Sequence, residues 1–174
     1  MKEAIETINQ MQADGVIGKY AIGGAVGATL YLEPAATIDL DIFALLPTVS
    51  RGLLISLAPI YEYLKSRGGM VVDEYIEIGG WPVQFLPPSD DLETEAVEHA
   101  VATTVEGVPT WVMSAEHLVA IALRTGRPKD RNRILQFVEQ HAVNRRKLED
   151  IIERNGLTAK WKEFEGKYLE GSHE

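Results

Sequence analysis

Two stretches decide the fold: Tyr20-Ala21-Ile22-Gly23-Gly24-Ala25-Val26-Gly27-Ala28 and, about 15 residues on, Thr37-Ile38-Asp39-Leu40-Asp41-Ile42-Phe43-Ala44-Leu45-Leu46. The first reads as a short strand over 20–22 that runs into a glycine pair and then a helix over 25–32, stopped before Pro34. The second reads as a strand over 37–46, alternating at its start and apolar at its end. Residues i and i+2 of a strand share a face, so Thr37, Asp39, Asp41 and Phe43 lie on one side and Ile38, Leu40, Ile42 and Ala44 on the other. Two neighbouring carboxylates among apolar residues repel one another unless a cation or a proton compensates. A hard divalent cation such as Mg²⁺, shared with substrate phosphate oxygens, meets that need. An edge strand whose aspartates face water meets it equally well. The glycine pair also has two readings: steric relief at a strand-to-helix turn, or backbone amides offered to an anion. It is neither a dinucleotide fingerprint, since Ile22 stands where a first glycine is needed, nor a Walker A loop, since no Gly-Lys-Ser/Thr follows.

Outward from this core, Ala4, Ile5, Ile8 and Met11 recur at helical spacing and predict a helix over 2–13 that ends at Asp14-Gly15. This start is amphipathic and has no apolar run of the signal-peptide kind. A helix is expected over 51–67, with Gly68-Gly69 as its terminator. Residues 70–78 and 81–86 read as two strands joined by Gly79-Gly80. Pro87-Pro88-Ser89-Asp90 turns into a helix over 91–100, and a second hairpin folds around Gly107. Ser114 caps the next helix, with Glu116 in its first turn. From there the pattern is helical: 115–125, 128–141, 144–155 and 158–168, with a tail over 170–174 expected to fray. The expected architecture is α/β, a small mixed sheet flanked by helices and followed by a C-terminal helical subdomain. The division falls between a core over 1–113 and a helical part over 114–174.

The 174 residues suffice for one domain with a sizeable core. The absence of cysteine excludes disulfide scaffolds, thiolate zinc sites and cysteine nucleophiles, and the four histidines show no ligand spacing. The longest apolar stretch, Leu53 to Ile60, is too short to span a membrane, so a cytoplasmic setting is expected. The net charge of −9 disfavours indiscriminate binding to polyanions. Yet residues 124–147 hold 8 basic and 2 acidic side chains. That segment reads equally as a phosphate-binding surface and as a solvated helical face. Asp130 within it either orients the neighbouring cations or serves the helix dipole. His117 reads as a structural or surface residue, and Trp81, Trp111 and Trp161 as core or interface residues.

A Gly-Gly turn opening a helix, followed by Asp-x-Asp on a strand, resembles the nucleotidyltransferase fold of the DNA polymerase β superfamily. Within that superfamily the chain looks most like the small AbiEii-like toxin nucleotidyltransferases. Ser114-Ala115-Glu116-His117-Leu118-Val119-Ala120 and Gly126-Arg127-Pro128-Lys129-Asp130 are similar to that group's helix pair. The resemblance implies that Gly23 and Gly24 line nucleotide phosphates and that Asp39 and Asp41 hold Mg²⁺ as the catalytic pair. It also implies that Arg127, Lys129 and Arg131 meet the triphosphate or an acceptor. The implied reaction moves a nucleoside monophosphate from a nucleoside triphosphate to a hydroxyl of an RNA, a protein or a small molecule. The pattern departs at Gln84, where the family carries a third carboxylate, and at Ala122, where related toxins carry a lysine. Glu77 and Arg124 are the nearest replacements, and the loop before Asp39 lacks the usual basic residue. These departures keep an alternative open: a catalytically inactive module on the same fold, acting as a toxin–antitoxin or defence partner subunit or as a homo-oligomer.

Overall fold

The computed structural model describes residues 1–33, 39–47 and 56–169. The expected strand start at Thr37-Ile38, the loop over 34–37, the first turns of the 51–67 helix and the tail over 170–174 lie outside those residues. The expected alternation of the aspartate strand is realised in β2 (Leu40–Ala44), where Leu40 and Ile42 are fully buried on one face. Burial of each such side chain is worth about 1.5–3 kcal/mol. Phe43 packs with the helices of the opposite face.

β2 is the centre strand of a seven-stranded mixed sheet. The other strands are β1 (Tyr20–Ile22), β3 (Met70–Val72), β4 (Tyr75–Ile78), β5 (Trp81–Leu86), β6 (Val101–Val105) and β7 (Val108–Val112), in the order β3-β4-β5-β2-β1-β7-β6. β2 runs antiparallel to β1 and parallel to β5, and its register sets Asp41 directly opposite Gln84. The stretch 70–78 is two strands rather than one. Asp73 adopts a left-handed conformation (φ 54°), a backbone state that aspartate tolerates better than most residues, and the chain turns back there.

Helices cover both faces of the sheet. α1 (Lys2–Ala13) and α3 (Ala58–Lys65) bury Ile5, Ile8, Ile60 and Leu64 against Leu40, Ile42, Ile76 and Val83. On the other face lie α4 (Asp91–Glu98), α5 (Ala115–Thr125), α6 (Pro128–Glu139), α7 (Arg145–Arg154) and α8 (Thr158–Phe164), followed by a π-helical turn over Glu165–Leu169. Their apolar stripes share one core with Ala21 and Phe43 of the sheet. The short α2 (Gly24–Thr29) leads off β1. Among the described residues no helix is long and apolar enough to cross a membrane.

Candidate active site

Asp39, Asp41 and Phe43 point to the side of the sheet that faces α5 and α6, and between these layers opens a cleft of ≈ 440 Å³. Asp39, Asp41, Gln84, Glu74 and Tyr75 line the sheet side, while Arg127, Lys129 and Arg133 line the α6 side. Residues 39–41 and 127–133 therefore meet although about half the chain separates them.

The Asp41 carboxyl is pushed up to about 6, first by burial and then by the charge of Asp39. The cations Arg133, Lys129 and Arg127 pull it back only in part. The Tyr75 hydroxyl donates a hydrogen bond to the Asp39 carboxylate, and its own ionisation is held above the ordinary range, first by desolvation and then by Asp39. Gly24 sits at φ 57° directly beneath Asp41, where any Cβ would overlap the Asp41 carboxylate. The glycine at 24 thus allows the carboxylate to rest on the backbone at the start of α2.

Gly23 has a different neighbourhood. A Cβ there would come within 2.6 Å of the Phe43 ring, so this glycine serves the packing of β1 against β2, while Gly24 and Ala25 line the cleft. Arg127 and Lys129 line the cleft, whereas Arg131 lines a separate pocket behind α6. Lys129 and Arg133 are four residues apart on α6 and share a face, whereas Arg131 falls about 200° around the axis from Lys129. Sequence reasoning misses two further cleft residues, Arg133 and Glu74. The spacing on α6 carries a signal for Arg133; nothing local carries one for Glu74, which follows from the turn at Asp73.

Asp130 is buried on the cleft wall. Its Oδ2 accepts from Arg127 Nε at 2.7 Å and from the Arg127 backbone N–H at 3.3 Å, and its Oδ1 accepts from Arg127 Nη2 at 3.3 Å. This pairing both caps α6 and fixes the guanidinium between cleft and pocket. Arg124 is drawn away from the cleft by Asp90 and Glu93. Ala122 presents only a methyl group to the cleft, and Glu77 is outside it.

The residues fit a divalent cation held by two carboxylates, with its remaining positions left to a substrate: a half-buried, mutually repelling pair on one strand face is relieved by such an ion. They do not assemble a larger acidic set. Among the described residues no three His, Cys, Asp or Glu side chains are grouped closely enough to hold a metal. Opposite Asp41 the Gln84 amide offers a neutral carbonyl oxygen where a third carboxylate would add charge.

A mixed sheet with an Asp-x-Asp strand at its centre, a glycine turn beside it and helices closing a cleft over the carboxylates is the nucleotidyltransferase fold. Solved structures of this fold superpose on the chain along nearly its whole length. The solution structure of the antibiotic-resistance factor ANT(2'')-Ia matches with a TM-score of 0.52 at 16% identity, over 95% of both chains. The crystal structure of ANT(2'')-Ia with adenylyl-2''-tobramycin matches with a TM-score of 0.53 at 18% identity, over 91% of this chain and 97% of the other. An antigenic nucleotidyltransferase-like protein from Paracoccidioides brasiliensis matches with a TM-score of 0.56 at 16% identity, over 91% and 90%. No protein-family model matches the chain, and no curated protein sequence does. What is shared at these identities is the fold.

Proposed function

We propose that the chain is a Mg²⁺-dependent nucleotidyltransferase that moves a nucleoside monophosphate from a nucleoside triphosphate to a hydroxyl acceptor in a cytoplasmic setting. The observation that carries this reading is the same-face Asp39/Asp41 pair, facing Arg127, Lys129 and Arg133 across the cleft, with the Asp41 carboxyl pushed up first by burial. Mg²⁺ held by the two carboxylates would neutralise phosphate charge and orient the triphosphate for in-line displacement. Lys129, Arg133 and the Asp130-anchored Arg127 bind the phosphates from the opposite wall, where a preorganised cation favours charge that develops on the leaving group. In the transfer, the acceptor oxygen bonds to the α-phosphorus, the bond from that phosphorus to the bridging oxygen breaks, and pyrophosphate leaves with the electron pair. The hydroxyl proton passes to Glu74, a cleft carboxylate with no cation in ion-pairing range among the described residues.

Gln84 supports a second reading, an inactive module that binds nucleotide and serves a toxin–antitoxin or defence partner, in line with the resemblance of 114–130 to AbiEii-like toxins. One experiment separates the two. Each ribonucleoside triphosphate is titrated calorimetrically with and without Mg²⁺ against the wild type and the Asp39→Asn/Asp41→Asn variant, and transfer of α-labelled nucleotide to RNA, protein and small hydroxyl acceptors is then scored. Mg²⁺-dependent binding lost in the variant, with label transferred, upholds the enzyme. Such binding without transfer upholds the inactive module. Binding that ignores both Mg²⁺ and the aspartates sinks both readings of this site.

A further inference from the structure

Behind α6 lies a second pocket of ≈ 260 Å³, formed where α6 meets α8 and the π-helical turn. Arg127, Arg131, Lys160 and Lys167 line it, with Phe164 and Tyr168 as its aromatic wall. Glu163 is the one carboxylate in the lining among the described residues, so cations exceed acids in a chain whose net charge is −9. Nor does any carboxylate within the described residues pair with Arg131, Lys160 or Lys167. Their polar contacts are neutral instead. Arg131 Nη1 donates to the Tyr168 hydroxyl at 3.3 Å, Lys160 Nζ donates to the Arg124 carbonyl at 2.9 Å, and Lys167 Nζ lies 5.4 Å from the centre of the Tyr168 ring.

The two aromatic rings are tilted against each other with centroids 5.1 Å apart, and Leu123, Pro128 and Ile134 complete the apolar floor. Cations arranged around an apolar, aromatic floor recognise a ligand that joins phosphate to a planar ring. The phosphate takes charge-assisted hydrogen bonds and the ring takes apolar and stacking contact. We infer that this pocket is a metal-independent binding site for a nucleoside monophosphate unit, whether a free nucleotide or a residue of an RNA strand.

The pocket differs from the cleft in lacking any carboxylate pair, so its ligand binds without a divalent ion. The two sites nevertheless touch, because Arg127 and Ala122 line both. A phosphate in the pocket and a triphosphate in the cleft draw on the same Arg127 guanidinium, and occupancy of either site changes affinity at the other by the same factor.

The test is calorimetric titration of AMP in EDTA, with a ribotetranucleotide as a second arm. AMP affinity is expected to fall about tenfold or more in Arg131→Gln and in Lys160→Gln/Lys167→Gln, the loss of one or two charge-assisted bonds. The double lysine variant is expected to keep Mg²⁺-dependent ATP binding at the cleft, and Asp39→Asn/Asp41→Asn to keep AMP binding in EDTA. Tighter binding of the tetranucleotide than of AMP assigns the pocket to an RNA residue, and equal or weaker binding assigns it to a free nucleotide. The inference is overturned if AMP fails to bind in EDTA, or if the aspartate variant loses AMP while the pocket variants keep it. Absence of Mg²⁺-dependent ATP binding in the wild type, with AMP binding in EDTA intact, would overturn the proposed function and leave the pocket standing.

Discussion

Replacing Asp41 by Asn is expected to stabilise the metal-free protein at neutral and alkaline pH, although it removes a residue proposed to hold the metal. The carboxyl titrates at about 6 in the fold against 3.8 in the unfolded chain. A carboxyl with a raised folded pKa costs stability once it is ionised. The cost is absent below the unfolded value, grows between the two, and is complete above the folded value. About two pKa units at 1.36 kcal/mol each set a ceiling of roughly 3 kcal/mol. Screening by water in the open cleft reduces this to about 1–2 kcal/mol. In a chain of this length that shifts the melting temperature by roughly 2–8 °C. The assay is a melting series in EDTA from pH 4 to pH 8.5. The Asp41→Asn variant is expected to melt higher than wild type above pH 6 and to converge with it near pH 4. With Mg²⁺ and a triphosphate at about 100 times Kd, the wild type gains roughly 2.7 kcal/mol and the order reverses. A variant that melts lower than wild type at pH 8 in EDTA would show that Asp41 is stabilised by its surroundings, and the argument for a cation at this position would fail.

Three further outcomes follow from the same geometry. Gly24→Ala sets a Cβ into the Asp41 carboxylate at a left-handed backbone position, and a loss of about 1–2 kcal/mol is expected from the backbone alone; unchanged melting with intact Mg²⁺-dependent binding would refute it. Gln84→Asp places a third carboxylate opposite Asp41, so Mg²⁺ should bind roughly tenfold more tightly and the metal-free protein should melt lower above pH 6; calorimetry and melting check the pair. His117 is buried, its Nδ1 shares a hydrogen bond with Ser114 Oγ at 2.8 Å and its Nε2 lies 3.2 Å from Glu95, with its pKa held down chiefly by desolvation. A histidine with a lowered folded pKa takes its proton first in the unfolded chain, so stability falls as pH drops below about 6.5. Melting in the Asp41→Asn background, which removes the opposing slope, should show that fall, and His117→Asn should flatten it.

Much of the cleft is legible in the sequence because the signal there is local. Strict alternation in Asp39-Leu40-Asp41-Ile42-Phe43 sorts the carboxylates from the apolar residues without knowledge of the neighbouring strands. The glycine pair is visible too, but its two members serve different contacts, and that depends on Asp41 and Phe43 arriving from another strand. The turn at Asp73 is hidden because a non-glycine residue takes the left-handed position, and with it is hidden the reason Glu74 lines the cleft and Glu77 does not. Closeness in sequence groups Arg131 with Lys129, whereas the helical period pairs Lys129 with Arg133. Sheet order is beyond reach, because β2 lies between β1 and β5 and its parallel partner comes about 40 residues later.

The cleft joins carboxylates near residue 40 to cations near residue 130, and so has a consequence for the chain while it is being made. The aspartate strand leaves the ribosome some 90 residues before α6 does, a lag of roughly 5–20 s at ordinary rates of elongation. During that interval the repelling pair has neither its opposing cations nor its covering helices. A growing chain therefore carries no completed cleft until α6 has emerged, and the proposed grip on a triphosphate cannot form before then.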